Sequence, residues 1–270
     1  MEKQSSKKFL EDVEVLDNIQ LASCIWKLTL KSSRASKAIM PGQFVHLQVD
    51  GGKMAMLRRP FSVFNASPTS EEIEIVYEIK GKGTRAMTSW KKGDVASIIA
   101  PLGNSWQSSF SQDIDFNDKN VLLVGGGVGA APLYMLARNL VHASARVDVV
   151  LGARTKELLV LKDDYAALSL NTLTCATDDG TFGYSGFCTY PALELLNSKL
   201  YDYVATCGPS PVMKEVALSA KDKVKHVEVS MEERMACGVG ACKTCVVNTT
   251  GGKVKSCESG PIFPAEVILW

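Results

Sequence analysis

The last forty-odd residues of this chain are too few to bury a large core of their own, so they need a staple or a docking surface. The sequence supplies a candidate staple: four cysteines spaced Cys237-x4-Cys242-x2-Cys245-x11-Cys257. Three of them fall within nine residues, separated by small Gly238, Gly240 and Ala241, a pattern suited to a loop wrapped around one inorganic body. The C-x4-C-x2-C order followed by a later cysteine is the plant-type [2Fe–2S] arrangement. Glycines there let backbone amides approach the cluster sulfurs. The bland alternatives are a structural zinc ion or reduced, unliganded thiols. Zinc sites more often use two separated Cys hooks or a histidine, and this region has neither. The fourth cysteine follows sooner than in ordinary plant ferredoxins.

The other four cysteines, Cys24, Cys175, Cys188 and Cys207, sit among apolar neighbours and read mostly as small buried hydrophobes. Clustering of thiols in a cytosolic chain points to metal or redox chemistry before disulfides. The three histidines, His46, His142 and His226, are isolated and make no metal site. Thirty Lys+Arg against 29 Asp+Glu leave a formal charge of +1, which gives no field to attract phosphate backbones or anionic lipid. Nucleic acid and membrane are therefore not expected as partners. The N-terminal stretch carries charges where a secretory leader would be apolar. The longest uncharged run, residues 120–137, is rich in glycine and short of the roughly 20 apolar residues of a spanning helix. The expectation is a soluble, cytoplasmic chain.

The 270 residues change texture twice. Residues 1–105 hold short β-rich runs, CIWKLTL, QFVHLQV, EIEIVYEIK and VASIIAP, separated by turn residues, which predicts a small antiparallel β-barrel or sandwich. Residues 105–119 are polar and read as a linker. Residues 106–228 alternate strand and helix: VLLV into a glycine turn and PLYMLARNLV, then VDVVLGA, a helical stretch over 156–168, TLTCAT, and DYVATCGPSPVMKEVALSA. Such alternation predicts a parallel sheet covered by helices. Residues 229–270 form the cysteine-rich third part. The fold class is thus multi-domain, α/β plus β.

Gly125-Gly126-Gly127-Val128-Gly129 between a strand and a helix allows a tight turn and brings amides and a helix N-terminus to a pyrophosphate. Pro132 suits the first helical turn. The same glycines could serve geometry alone. Cys207-Gly208-Pro209 closes a second strand, and ligands of open α/β sheets bind outside the carboxyl ends of strands; on its own it is a buried thiol before a turn. Thr177-Asp178-Asp179-Gly180 is a turn that could lie nearby or be a solvated loop. In the β-rich part, Arg58-Arg59-Pro60-Phe61-Ser62 offers a cation for phosphate and a hydroxyl for a ring edge, or is simply a surface strand end. Gly81-Lys82-Gly83-Thr84 offers backbone N–H groups and a hydroxyl to a second phosphate.

The order R-P-F-S, G-K-G-T, G-x-G-x-x-P, C-G-P resembles the ferredoxin–NADP reductase superfamily over essentially the whole chain. With the appended M-A-C-G-V-G-A-C-K-T-C segment it is similar to one branch, the electron-transfer subunits of class B dihydroorotate dehydrogenases. The resemblance implies FAD beside Arg59, Pro60, Phe61 and Ser62, with Val76, Tyr77 and Glu78 along the flavin and Gly83 and Thr84 on its pyrophosphate. It implies NAD+/NADH at Gly127 and Gly129, with Cys207, Gly208 and Pro209 near the nicotinamide, and a [2Fe–2S] cluster on Cys237, Cys242, Cys245 and Cys257. Asp178 and Asp179, if near the adenosine ribose, would repel a 2′-phosphate and favour NADH. The implied enzyme is an NAD-linked oxidoreductase subunit of pyrimidine biosynthesis. Its implied partner is an FMN-containing catalytic subunit, in a heterotetramer with two copies of each. No side chain of this chain is needed as an acid or base. Two other readings share parts of the pattern: an electron-transfer subunit of a sulfide, sulfite or ferredoxin:NAD(P)H reductase, and a zinc- and nucleotide-binding regulator. Apolar Ile268-Leu269-Trp270 either packs on its own domain or docks a partner, and packing is the expectation.

Overall fold

A computed structural model describes residues 7–49, 57–108 and 114–270. Residues 50–56, which include Gly51 and Gly52, and residues 109–113 in the middle of the polar 105–119 segment lie outside the described residues. The first part contains β1 (Phe9–Ala22), β2 (Ile25–Lys31), α1 (Ser33–Ala38), β3 (Phe44–Leu47), β4 (Arg59–Ser62), β5 (Asn65–Ser67), β6 (Glu72–Glu78), α2 (Lys82–Met87) and β7 (Val95–Leu102). Its strands form one antiparallel sheet in the order β4-β3-β7-β1-β2-β6-β5.

The barrel expected of this part is half-open: the antiparallel sheet curls on itself, with no ladder between its two edge strands among the described residues. Two consecutive residues bridge the gap. Val63 N–H donates to Gln43 C=O (3.1 Å), just before β3 near one end of the strand order, and Phe64 N–H to Glu74 C=O (2.8 Å) on β6 near the other. Inward-facing Leu28, Leu30, Ile73, Ile75 and Ile98, all 0% exposed, fill the curl. Their alternation with polar neighbours is the period-two signal of a half-buried strand.

The second part comprises β8 (Asn120–Gly126), α3 (Ala131–His142), β9 (Arg146–Ala153), α4 (Lys162–Ala166), β10 (Thr172–Thr177), β11 (Tyr184–Ser185), α5 (Thr189–Ser198), β12 (Tyr203–Cys207), α6 (Ser210–Ala220) and β13 (His226–Ser230). Strands β11-β10-β9-β8-β12-β13 are parallel. The central ones read as continuous apolar runs because helices cover both faces. The helix expected over 156–168 is two short pieces, a 3-10 turn at Lys156–Leu158 and α4. Leu159 and Leu161 are both buried, and residues two apart do not share a helix face. The polar segment is more than a tether: Trp106 is buried with its Nε1–H on Pro132 C=O (3.0 Å), and Gln107 N–H donates to Glu228 (2.8 Å).

The third part adds β14 (Val246–Thr249), β15 (Gly252–Lys255), α7 (Ser256–Ser259) and β16 (Ile262–Pro264). β16 extends the α/β sheet antiparallel to β13, pairing Ile262 with Ser230 and Phe263 with Val229. The short cysteine-rich part therefore gains a docking surface as well as a staple. Asn104 fixes it from the other side, its Nδ2 donating to Ile262 C=O (2.8 Å) and its Oδ1 accepting from Ile262 N–H (2.9 Å). At the C-terminus Ile268 is buried and bridges Thr249, and Trp270 packs on the same small core, while Leu269 is exposed. No described helix is long and apolar enough to cross a membrane.

Candidate functional site

The cysteine-rich loop hangs between β13 and β14, over the face of β3. Its thiols meet in two pairs. Cys237 Sγ accepts from Cys242 N–H (3.4 Å) and Val239 N–H (3.5 Å), and Cys245 Sγ accepts from Cys257 N–H (3.5 Å). Cys245 and Cys257 are buried, Cys237 is half-buried and Cys242 is exposed. Hydrogen bonds from Thr244, whose hydroxyl lies 3.2 Å from Cys242 Sγ, hold the Cys242 thiol down at about 6. Burial, then contact with Cys245, pushes Cys257 up to about 12. Among the described residues no three His, Cys, Asp or Glu converge as they would on a single metal ion. Four thiols gathered as two pairs in one loop system would suit a two-iron body. Gly238 and Gly240, at φ of +68° and +91°, give the loop a path that L side chains rarely adopt.

Beside it lies a cavity walled by β4 (Arg59, Pro60, Phe61, Ser62) and β6 (Val76, Tyr77, Glu78), with Phe44, Lys80 and Thr84 at its rim. Phe61 and Tyr77 meet edge to face, centroids 6.1 Å apart. Tyr77 donates its hydroxyl to Asn18 (3.2 Å), and burial raises that hydroxyl to about 12, so it stays a neutral donor. Gly83 lies behind this wall. A Cβ there would stand 3.0 Å from Val49 Cγ2 and 3.6 Å from Arg59 Nε, so its smallness lets Arg59 lie along α2. Thr84 Oγ1 holds the turn by accepting from Lys80 N–H (3.0 Å) and Gly81 N–H (3.2 Å).

A second, larger cavity of about 900 Å³ opens at the carboxyl ends of β8 and β12. Gly127, Gly129, Gly208 and Pro209 line it, with Arg154, Asp178 and Phe187 farther along. Cys207 stands behind the wall: it is fully buried, and burial pushes its thiol far up, so it is a neutral SH. Asp178 reaches the cavity; Asp179 is not among its lining and instead accepts from the Thr181 hydroxyl (2.7 Å). Glu78, Lys80, Val128, Met231, Glu232 and Glu233 line both cavities, so the two meet.

Several of these residues carry no sequence signature. Phe44 lines the first cavity and packs with Cys245 and Cys257. His46, two residues along the same strand, is 0% exposed beneath Gly238. Burial first, and then Arg58, lowers its pKa to about 4, so the ring is neutral. Phe187 is 57% exposed at the rim of the larger cavity and stacks with Tyr190, centroids 6.4 Å apart. The position of Met231–Glu233 between a sheet strand and the cysteine loop was the available clue to their place between both cavities.

Curled sheet, parallel sheet and appended cysteine segment together define a ferredoxin-reductase-like chain with an iron–sulfur binding part. Residues 232–269 match the iron-sulfur cluster binding domain of dihydroorotate dehydrogenase B. The electron transfer subunit of dihydroorotate dehydrogenase B (NAD(+)) of Bacillus pumilus (strain SAFR-032) is 36% identical over 257 residues, covering 94% of this chain and 96% of that one. That of Shouchella clausii (strain KSM-K16) is 34% identical over 260 residues, covering 94% and 96%. The structure of an NADH-dependent reduced ferredoxin-NADP oxidoreductase superposes with a TM-score of 0.84 at 32% identity, covering 96% of this chain and 90% of that one. A ferredoxin NADP+ reductase from Neisseria gonorrhoeae with bound FAD and NADP, at 17% identity and a TM-score of 0.62 over 79% and 91% of the two chains, shares the fold. The chain belongs to the family of dihydroorotate dehydrogenase B electron transfer subunits.

Proposed function

We propose that this chain carries electrons from the FMN of a dihydroorotate-oxidising catalytic subunit to NAD+, in a cytoplasmic heterotetramer with two copies of each subunit that serves pyrimidine biosynthesis. A nicotinamide takes electrons as a hydride, a [2Fe–2S] cluster takes them singly, and FAD handles both, which is the chemistry the three bound groups supply. The chain's own residues hold and space them. Cys237 with Cys242, and Cys245 with Cys257, supply four thiolates for the cluster. Arg59 supplies the cation for the FAD phosphates, with Gly83 and Thr84 shaping the adjoining turn. Pro60, Phe61, Ser62, Val76, Tyr77 and Glu78 form the walls for the flavin ring. Gly127 and Gly129 receive the NAD pyrophosphate, and Gly208 and Pro209, backed by Cys207, bound the nicotinamide end. No side chain has to move a proton to a carbon centre in this half of the reaction.

The observation that carries this reading is contiguity. Phe44 touches both the first cavity and the Cys245–Cys257 pair, and six residues wall both cavities, so the cysteine loop adjoins the first cavity and the first adjoins the second. The chain would be loaded with FAD and cluster and paired with an FMN-containing dihydroorotate dehydrogenase subunit. The expected result is dihydroorotate-dependent reduction of NAD+ by the complex, and none by the chain alone. Orotate formed by the single chain, or a loaded complex that passes no electrons to NAD+, contradicts the proposal. The 32% identity to the reduced ferredoxin-NADP oxidoreductase chain favours a second reading, with a different electron donor. Replacing dihydroorotate by reduced ferredoxin as donor separates the two.

A further inference from the structure

β3 reads as buried on both faces, and one face is unusual. Phe44 and His46, two positions apart, project to the same side of the strand. Phe44 packs with Cys245 and Cys257, and His46 lies against the other half of the cysteine loop. A Cβ built on Gly238 would stand 2.6 Å from His46 Nδ1 and 3.0 Å from its Cε1, so the loop backbone rests directly on the imidazole edge. One strand face thus underlies both thiol pairs.

The imidazole is 0% exposed, and among the described residues neither ring nitrogen has a hydrogen-bond partner. The backbones of Cys237 and Arg58 approach the ring without reaching hydrogen-bond geometry. The Arg58 guanidinium donates to Ser97 C=O (2.6 Å), Ser97 Oγ (3.0 Å) and the backbone C=O of His46 (3.4 Å), not to the ring nitrogens. Leaving a buried polar group unsatisfied costs its desolvation, so an apolar residue would serve packing better. A neutral imidazole keeps one N–H to give. Beside its backbone carbonyls this loop gathers sulfur acceptors: Cys237 Sγ already accepts two backbone N–H groups.

We propose that His46 tunes the iron–sulfur centre, its Nδ1–H donating to a sulfur of the cluster held by the 237–242 loop. The inference rests on the reading of the four cysteines as cluster ligands. Reduction adds one electron and places more negative charge on the sulfurs, so a donor fixed against them stabilises the reduced form more than the oxidised one. His46 therefore raises the cluster's potential. The strand that carries it is also laddered to the flavin wall, His46 opposite Pro60 and Phe44 opposite Ser62. The donor's position is thereby fixed by the same strand pair that shapes the first cavity.

The test uses the full chain loaded with FAD and cluster under anaerobic conditions. Protein labelled with 15N in the histidine rings is reduced and examined by pulsed EPR. A 15N hyperfine coupling to the cluster is expected, and it reports His46, because His142 ends α3 and His226 opens β13. His46→Leu is expected to shift the one-electron midpoint negative by about tenfold in reduction equilibrium, ~59 mV, with iron content unchanged. His46→Gln, which keeps an N–H, is expected to recover much of the shift. A loaded cluster that shows no 15N coupling overturns the proposal, as does an unshifted midpoint in His46→Leu. Should His46→Leu fail to load iron, the labelled wild-type protein still decides. Absence of acid-labile sulfide in the wild type overturns the ligand reading itself, a different result from a normal cluster without coupling.

Discussion

Gly129 and Gly208 touch: a Cβ on Gly129 would stand 2.6 Å from Gly208 Cα and 2.7 Å from its N. They close the carboxyl ends of the adjacent parallel strands β8 and β12, and Gly208 sits at φ +148°. Gly129→Ala therefore has to push two backbones apart at the cavity floor. Overpacking of this kind costs about 1–3 kcal/mol. The expected result is a loss of NADH affinity of at least ~10-fold, read from the NADH concentration dependence of flavin bleaching. FAD and iron contents are expected to stay unchanged. Unaltered affinity would place the nucleotide elsewhere.

Phe187 offers an exposed aromatic face at the far end of the same cavity, beside Arg154 and Asp178. Phe187→Ala is expected to weaken NADH binding by about 0.5–1.5 kcal/mol, the worth of one aromatic stacking contact. Binding of nicotinamide mononucleotide, which has no adenine, is expected to be unchanged. Equal losses for both ligands would put Phe187 at the nicotinamide end instead.

Cys257, in α7, is buried with Phe44, Leu102 and Cys245, and its backbone N lies 3.5 Å from Cys245 Sγ. Cys257→Ala is expected to abolish iron binding and dihydroorotate-dependent NAD+ reduction by the complex. NADH-driven reduction of ferricyanide by the chain's FAD is expected to persist, because neither cavity is lined by this residue. Retention of both activities with iron lost would remove the cluster from the route.

Asp148, only 1% exposed at its side chain, accepts from Asn171 Nδ2 (2.5 Å), Thr172 Oγ1 (2.7 Å), Lys199 Nζ (2.7 Å) and the Tyr201 hydroxyl (2.7 Å). Burial pushes its carboxyl up, but the four donors outweigh that, and its pKa lies below the ordinary value of 3.8. A folded pKa below the unfolded one gives stability that is present above the unfolded value and lost as pH falls through the folded one. Asp148→Asn sets an amide among four donors and is expected to cost ~3–5 kcal/mol at neutral pH. Thermal melts should show that gap narrowing below about pH 4. A gap independent of pH would mean the carboxylate charge contributes nothing.

The cysteine quartet and the two glycine turns were legible because their chemistry needs particular residues at particular spacings. The parallel sheet was legible from continuous apolar strands between helical stretches. The sheet closure was not, because it rests on Val63 and Phe64 reaching two strands distant in sequence, Gln43 and Glu74. Polar composition around residues 105–119 concealed Trp106 as an anchor between the sheets. Phe44 and His46 were hidden in a short strand buried on both faces, where no alternation marks which side meets the cysteines. Their role depends on β16 bringing the tail back onto β13, a contact that no local pattern encodes.

Metal and sulfide content of protein isolated without air tests the central claim most directly, with the visible spectrum taken before and after NADH. Two irons, two acid-labile sulfides and one FAD per chain are expected, with the flavin band bleached by NADH. Stoichiometric zinc without labile sulfide, in a colourless protein, would contradict it.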